Sequence, residues 1–472
     1  MVLLTPLLGL AGCTLGPAYL RPAIDVPARF SATPETADAA WPTPEWWRGF
    51  GSVELNDLIA AARLYNNDLA AAAARIVQAD AQVRISGAPL LPTIQGTSDF
   101  NYQRSGNSRN RSGSSSFNGV SFPGGKRYSD NRTYQIGANI SYDLDFWGRN
   151  RALAEAAQAS AVASRFDQET VALNVVTGVA QTYFQLLAGQ DRLGVAQRNL
   201  ADAERILGAF RARLSVGTAN ALDVSQQEAL VANQRAVIPN LRNNVEQQRI
   251  GLGILTGRPP ERLSVSGGTL EKLDLPAVTP GLPSILLTRR PDVANAEAQL
   301  VSENANIRAA RAAFLPTITL TGAGGLTSVA LSTITGPGTV VASLAAQLTQ
   351  TIFDNGQRQG QLDQARGRFD ELLANYRRTT LQAFTDTEQS LTAFQYTTEQ
   401  EDLTRRAVAV AQRSSDIGKA QLAAGTIDVI TSLNTQTTLY NDLDNLTQVR
   451  LARFQALVNL YKALGGGWVG PS

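Results

Sequence analysis

The sequence predicts an α+β membrane protein in which strands cross the bilayer and very long helices lie outside it. Three observations support this prediction: segments of alternating apolar and polar residues, helical segments with a seven-residue apolar period, and repetition of the whole plan in the two halves. With 472 residues, of which 43% are apolar and 17% charged, the chain is long enough for one large domain or two ordinary ones.

The composition lacks most of the side chains that commonly act in catalysis. The chain has no histidine, one cysteine (Cys13) and one methionine (Met1), so imidazole acid–base chemistry and thiol chemistry are unavailable or rare. We therefore expect no catalytic residues, no metal site and no cofactor. A net charge of +2 without a basic block also argues against nucleic acid as a partner.

The N-terminus predicts lipid anchoring. An apolar stretch runs into Leu10-Ala11-Gly12-Cys13, which has the small residues of a lipoprotein cleavage site. We expect residues 1–12 to be a signal peptide and Cys13 to be acylated; the alternative is a short hydrophobic N-terminus with a buried cysteine. Because no Lys or Arg precedes the stretch, we expect the natural signal peptide to be longer. Elsewhere no apolar run reaches about 18 residues, so we expect no transmembrane helix.

The two halves share one plan of helix, strand, loop, strand, long helix, turn and helix. Residues 88–94 (Ala-Pro-Leu-Leu-Pro-Thr-Ile) resemble 312–318, and 216–224 resemble 424–429 at a break between helices. The predicted division is 13–50 as a lipid-anchored extended segment, 51–255 as the first repeat, 256–287 as a linker, 288–464 as the second repeat and 465–472 as a tail.

The helices of the first repeat carry apolar residues every seven positions, which predicts helices that pack side by side along a narrow seam. The stretch from Arg149 to Leu214 is unbroken and would be about 100 Å long. Pro239 is expected to interrupt and bend the return helix. The heptad positions are Leu55, Ala62, Leu69, Ile76 and Val83 in the first helix, Val179, Leu186, Leu193, Leu200, Leu207 and Leu214 in the second, and Val224, Val231, Ile238, Val245 and Leu252 in the third.

Alternation over residues 134–146 and 343–352 predicts strands with one face toward lipid and one toward water. A half-buried strand of a soluble sheet is the alternative. Four strands cannot close a barrel, so several chains must share one. Two, three or four chains would give eight, twelve or sixteen strands, and a water-filled interior argues against eight.

The segment from Arg104 to Arg132 is rich in Ser, Gly and Asn and predicts a flexible external loop between the first two strands. It carries Arg109, Arg111, Lys126 and Arg127 against a single Asp130. This charge would suit lipopolysaccharide phosphates or would simply be solvated.

Several motifs together resemble the outer-membrane factors of tripartite efflux systems, in the TolC-like superfamily and its NodT lipoprotein branch. They are Cys13 to Pro22, Trp46-Trp47 with Phe50 and Leu55, Asn67-Asp68-Leu69, Ala74-Arg75, Arg289-Arg290-Pro291-Asp292 with Ala296-Glu297, and Ala309 to Pro316. The resemblance covers the chain from Cys13 to about Gly467.

This resemblance implies a homotrimer with a twelve-stranded transmembrane β-barrel, four strands per chain, continued by a long α-helical barrel with a mixed equatorial region. It implies a lipid-anchored location in the outer membrane of a Gram-negative bacterium, extending into the periplasm. It also implies a passive exit duct for drugs or other small toxic compounds, with a periplasmic adaptor and an inner-membrane pump of the RND type as partners.

Two groups of residues follow as candidate sites. The turns at Gly217-Thr218 and Gly425-Thr426 should lie together at the periplasmic tip and contact the adaptor, unless they are ordinary interhelical turns. Asp416 would form an acidic ring that narrows the tip, and Arg413 or Arg406 would pair with a neighbouring subunit's carboxylate; the alternative is that these charges are merely solvated.

Other functions remain open at this point. A duct of this architecture could serve type I protein secretion or metal-cation efflux, although a chain without histidine is a poor metal path. A different class is a lipid-anchored periplasmic coiled-coil protein, in which cysteine probes at Ile136, Ile140 and Leu348 would react with polar reagents.

Overall fold

The computed structural model describes residues 19–30, 41–107, 116–117, 120–121, 127–278, 281 and 283–470. The helices and strands follow the predicted order, and the two halves match in length: the long helices have 67 residues each and their return helices 35 each. The elements are α1 (Val53–Tyr65), α2 (Asn67–Gly87), β1 (Thr93–Asn107), β2 (Ser116–Phe117), β3 (Val120–Ser121), β4 (Arg127–Leu144), α3 (Arg149–Ser215), α4 (Ala221–Leu255), α5 (Pro283–Leu286), α6 (Pro291–Ala312), β5 (Thr317–Ser328), β6 (Val340–Thr349), α7 (Gln357–Ala423) and α8 (Val429–Ala463).

The chain forms two compact units, and each repeat contributes to both. Of the described residues, the strand unit comprises those within 80–159 and 301–370 together with 19–20, and the helical unit comprises those within 21–79, 160–300 and 371–470. This division cuts across the sequence repeats, because the strands and helix ends of both halves associate in one unit and the remaining helices in the other.

The strand unit contains one antiparallel sheet in the order β1-β4-β5-β6. A second, two-residue pairing joins β2 to β3. The prediction of a loop from Arg104 to Arg132 is therefore wrong in its bounds, because β1 and β4 extend into its two ends and β2 and β3 pair within it. The start of α3 is fixed beside the sheet, because the Asp145 carboxylate accepts hydrogen bonds from the backbone N–H groups of Asn150 and Arg151, both at 2.9 Å. The Trp147 indole donates to the Pro316 carbonyl at 2.8 Å, which ties the two repeats together.

The helical unit has an aromatic core at its centre. Phe50 and Phe184 are fully buried, with ring centroids 4.9 Å apart, and Phe454 lies 5.0 Å from Phe184. Trp46 stacks on Tyr461 at 4.7 Å. The Trp46–Phe50 turn therefore packs directly against α3 of the first repeat and α8 of the second, which explains why an apolar cluster precedes the first helix.

The single first helix predicted over residues 55–83 is wrong. Asn66 adopts an extended backbone conformation and separates α1 from α2. Its side-chain oxygen accepts hydrogen bonds from the N–H groups of Asp68 and Leu69, at 2.8 and 3.1 Å, and its amide nitrogen donates to the Leu255 carbonyl at 2.9 Å. The break is therefore a helix cap held by a contact that is distant in sequence.

A further expectation needs correction. The return helix α4 continues through Pro239, whereas an interruption was predicted. The helix α3 contains an 18-residue window of mean hydropathy 1.3, which is long and apolar enough to cross a membrane by composition alone. Because 56% of that window is buried inside the protein, α3 has the character of a core helix.

Candidate functional site

The four-stranded sheet has one apolar and one polar face. Paired residues of neighbouring strands share a face, so the registers Ile94 with Ile140, Ile140 with Gly322, and Gly322 with Leu344 define a row across the sheet. The apolar face carries Ile94, Phe100, Tyr134, Ile136, Ala138, Ile140, Leu144, Ile318, Leu320, Leu326, Val340, Leu344, Ala346 and Leu348, whereas the other carries Thr93, Gln95, Asp99, Thr133, Gln135, Asn139, Asp143, Thr319, Thr321, Ser343, Gln347 and Thr349.

The apolar face is open to the surroundings in a single chain. Leu344 is 87% exposed, and Ile94 and Leu348 are also largely exposed. Near one end of this face the rings of Phe100 and Tyr134 lie 4.8 Å apart. An exposed apolar band with aromatic residues at its border is the pattern of a strand surface that faces lipid.

The sheet has two open edges. Among the described residues, β1 pairs only with β4 and β6 pairs only with β5 within the main sheet. In hydrocarbon each unpaired backbone group costs several kcal/mol. Because the chain supplies an even number of strands to this sheet, β6 of one copy can pair antiparallel with β1 of another, which satisfies both edges.

The two predicted tip turns have the same hydrogen-bonded structure. Gly217 and Gly425 have φ angles of 74° and 71°, in the left-handed region that favours glycine. The N–H of Thr218 donates to the Arg213 carbonyl, and the N–H of Thr426 donates to the Gln421 carbonyl, both at 2.9 Å. These bonds form the same helix C-cap at the ends of α3 and α7. The two repeats therefore share the hydrogen bonds of this turn as well as its sequence.

The two turns are joined by a hydrogen bond between the repeats. The Arg213 guanidinium reaches the Ala423 carbonyl at 3.4 Å, across the two repeats. Below the turns, an apolar cluster joins α3, α4 and α8, and Leu422 of α7 packs against it; the cluster contains Ala203, Leu207, Phe210, Val224, Val231 and Val429. Lys419 and Asp202 form an ion pair of 3.2 Å between α7 and α3, so the second repeat's helix pair is attached to the first.

The predicted gate residues all lie exposed on α7. Arg406 pairs with Asp402 of the same helix at 2.6 Å, and Asp416 accepts hydrogen bonds from the Gln412 amide at 3.1 and 3.2 Å. For Arg413 no ion pair occurs within the described part of this chain. The structure of one subunit thus leaves Arg413 and part of Asp416 available to a neighbour.

An apolar stripe runs beside these charges. Tyr396, Leu403, Val410 and Ile417 follow one another at intervals of seven residues and are 57–61% exposed. A second exposed row with the same seven-residue spacing lies on α4, and its central side chains are smaller than those of the first row. It consists of Leu222, Ala229, Ala236, Asn243 and Ile250. A row of large residues and a row with small ones are complementary surfaces for helix packing.

Two predicted features lie outside what the structure describes. The acylation site Cys13 falls among residues 1–18, and the basic loop residues Arg109, Arg111 and Lys126 fall between the described segments; the side chain of Arg127 is likewise not described. Near the start of β4, the Arg132 guanidinium lies over the Tyr102 ring at 5.7 Å.

Sequence reasoning missed a buried carboxylate cluster between α7 and α8. The Glu401 side chain is 4% exposed and binds Arg405, Arg450 and Arg453 at 2.7, 3.1 and 3.0 Å. Burial opposes ionisation of Glu401, but the three guanidinium groups outweigh it and lower the pKa of its carboxyl.

The Arg289-Arg290-Pro291-Asp292 motif has a structural explanation. Arg290 is 8% exposed and binds Asp292 at 2.6 Å and Asp386 at 3.1 Å. The Arg289 guanidinium lies 4.8 Å from the Trp41 ring centroid. These contacts attach the start of α6 to α7, so the motif stabilises the fold of the helical unit.

Comparison with known proteins gives a consistent result. The family model for outer membrane efflux proteins matches residues 58–258 and 282–466. The pyoverdine export outer membrane protein OpmQ of Pseudomonas aeruginosa is 38% identical over 466 residues, which cover 98% of this chain and 95% of the relative. The cation efflux system protein CusC of Escherichia coli is 29% identical over 466 residues, covering 98% and 97%.

The fold is also similar to that of solved structures. A membrane protein from Pseudomonas aeruginosa superposes with a TM-score of 0.86 at 29% identity, covering 96% of this chain and all of that one. These findings confirm the predicted α+β fold class and the resemblance on which it rested.

Proposed function

The chain belongs to the family of outer membrane efflux proteins, and on that premise we propose that three copies form the exit duct of a tripartite efflux system. The family consists of outer-membrane channel proteins of Gram-negative bacteria and not of enzymes. The finer proposal is that the duct receives drugs or other small toxic compounds from an RND-type pump through a periplasmic adaptor.

The observation that carries the proposal is the two-faced sheet with two open edges. Its apolar face fits hydrocarbon and its polar face fits a water-filled interior. A dimer would give eight strands, whose interior is filled by side chains, whereas three copies give twelve and leave room for water. The membrane location of the family and the exposed apolar face of the sheet argue against the periplasmic coiled-coil alternative.

The exposed stripes on α7 and α4 support an interface between copies in the helical region. We propose that Tyr396, Leu403, Val410 and Ile417 of one subunit pack on the α4 row of the next. Charges that flank a helix seam commonly pair across it. Arg406 and Arg413 each follow a stripe residue by three positions, and Asp416 precedes Ile417, so all three are placed for contacts between subunits.

This placement supports the gate proposal. Three copies of Asp416 around one axis would form an acidic ring, and Arg413 would hold neighbouring helices together through a partner's carboxylate. The matching turns at Gly217-Thr218 and Gly425-Thr426 lie next to each other at one end of the helices, so we propose them as the adaptor contact. Cys13 is proposed as the acylated residue that attaches the chain to the membrane.

The cargo is proposed as small organic compounds. The relative named for pyoverdine export adds pyoverdine to the candidate cargoes. The relative named for cation efflux raises metal cations as an alternative; among the described residues no group of three or more His, Cys, Asp or Glu could hold a metal ion. Type I protein secretion remains a third possibility within the same architecture, and transport assays with each cargo would separate the three.

Planar-bilayer conductance of the purified protein tests the duct and its gate. We expect small, discrete, cation-preferring channels from a heat-labile trimer, and a larger conductance after the double substitution Arg413→Ala/Asp416→Ala. The matched control is Asp363→Ala/Arg366→Ala, an ion pair with the same three-residue spacing near the start of α7, which should leave conductance unchanged. A trimer that never inserts would refute the duct, whereas normal conductance of the first variant would refute only the gate.

A further inference from the structure

A small polar cavity lies inside the helical unit where α3, α4, α7 and α8 meet. All four contribute to its wall: α3 through Asn199 and Asp202, α4 through Gln234, α7 through Ser415 and Lys419, and α8 through Tyr440. Its volume is about 30 Å³, which exceeds the roughly 10–15 Å³ that a cavity needs to hold one water molecule. The cavity therefore has room for at least one solvent molecule.

Three polar atoms of the cavity wall have no hydrogen-bond partner among the described residues: Asn199 Nδ2, Gln234 Oε1 and Ser415 Oγ. Ser415 is fully buried and Gln234 is 8% exposed. A buried polar atom without a partner costs about 1–3 kcal/mol, so three of them around one cavity indicate a ligand that satisfies all three.

The chemistry of the wall selects the ligand. The amide nitrogen is a donor, the amide oxygen is an acceptor, and the hydroxyl can act as either. A cation would be repelled by the Lys419 ammonium, and an anion would be repelled by the Asp202 carboxylate. Lys419 and Asp202 already form an ion pair with each other at 3.2 Å. A neutral molecule that both donates and accepts fits this combination, and water is the one of the right size.

We infer that this cavity binds one ordered water molecule, which bridges the α3/α4 pair to the α7/α8 pair. The heptad pattern explains why the site exists here. Val231 and Ile238 occupy core positions of α4, and the alternate core positions are Gln227 and Gln234 in place of apolar residues. Gln227 is satisfied in part by donating to the Ala203 carbonyl at 2.8 Å, whereas Gln234 faces the cavity and needs the water.

The direct test is a structure of the assembled, detergent-solubilised protein at a resolution that shows ordered water. We expect density within hydrogen-bond distance of Gln234 Oε1, Ser415 Oγ and Asn199 Nδ2. Direct pairing of the Asn199 and Gln234 amides with no density between them would overturn the inference.

A stability measurement gives an independent answer. If water is bound, Gln234→Leu removes one hydrogen-bond partner of the water and weakens its bonds to Asn199 and Ser415. The urea concentration at the midpoint of unfolding should then fall. If no water is bound, the same change replaces an unpartnered carbonyl by an apolar group of similar size, and the midpoint should rise. Gln247→Leu, at an exposed position of the same helix, is the matched control and should leave the midpoint unchanged. Neither measurement depends on gating, so failure of the proposed gate would leave both results interpretable.

Discussion

Leu344 allows a sharp test of the two-faced sheet. It lies in the middle of β6 on the apolar face and pairs with Gly322 of β5, and its neighbour Ser343 lies on the polar face. An arginine at the bilayer midplane on the lipid side of a barrel costs about 2–4 kcal/mol. For three identical copies that insert together, Leu344→Arg should therefore cost about 6–12 kcal/mol of insertion free energy, since the penalty applies to each.

The assay is folding from urea into liposomes, followed by gel migration of unboiled and boiled samples. We expect Leu344→Arg to lose most of the heat-labile trimer band. Ser343→Arg introduces the same side chain one residue away and should retain the band, because its guanidinium would face water. Equal loss for both variants, or no loss for Leu344→Arg, would refute the assignment of the two faces.

Three further predictions concern the helical region and the anchor. Glu401→Ala should destabilise the protein by about 3–5 kcal/mol in urea unfolding, because it leaves the largely buried guanidinium groups of Arg450 and Arg453 without their anion. Since the pKa of Glu401 is lowered in the fold, its contribution is present above the ordinary glutamate pKa and is lost as pH falls through the folded value; Glu401→Gln should flatten this part of the pH–stability profile, and an unaltered profile would contradict the assignment. Gly425→Ala should cost about 1 kcal/mol because of its positive φ, whereas Gly208→Ala, in a helix with open space around it, should stabilise by about 0.5–1 kcal/mol. Cys13→Ser should abolish incorporation of radiolabelled palmitate, and continued labelling would show that the anchor lies elsewhere.

Much of the architecture could be predicted from periodicity alone. The alternation over residues 134–146 identified β4 and its lipid face, the heptads of α3 identified a helix whose length the structure reproduces, and the heptads of α4 identified a helix that continues through its proline. Both signals depend on local repetition along the chain, which a single sequence displays in full. The glycines of the tip turns could be recognised because the same short motif occurs in both halves. A helix that ends in a left-handed residue also favours glycine there.

Features that depend on distant contacts could not be predicted in this way. The break at Asn66 is stabilised by the Leu255 carbonyl, and Glu401 binds arginines 49 and 52 residues away. Gln227 and Gln234 have the same seven-residue spacing as the apolar seam, but a hydrophobic pattern search passes over polar residues in core positions. In each case the informative partner lies far along the chain, and one sequence does not reveal the pairing.

The open edges of the sheet have a genetic consequence. Because β1 and β6 must be completed by other copies, a subunit with a damaged edge does not fail alone; it also deprives its intact neighbours of a strand. In a cell that produces normal and edge-damaged chains together, most assemblies would contain at least one faulty member. Such alleles should therefore act dominantly over the wild type, whereas alleles that prevent synthesis of the chain should be recessive.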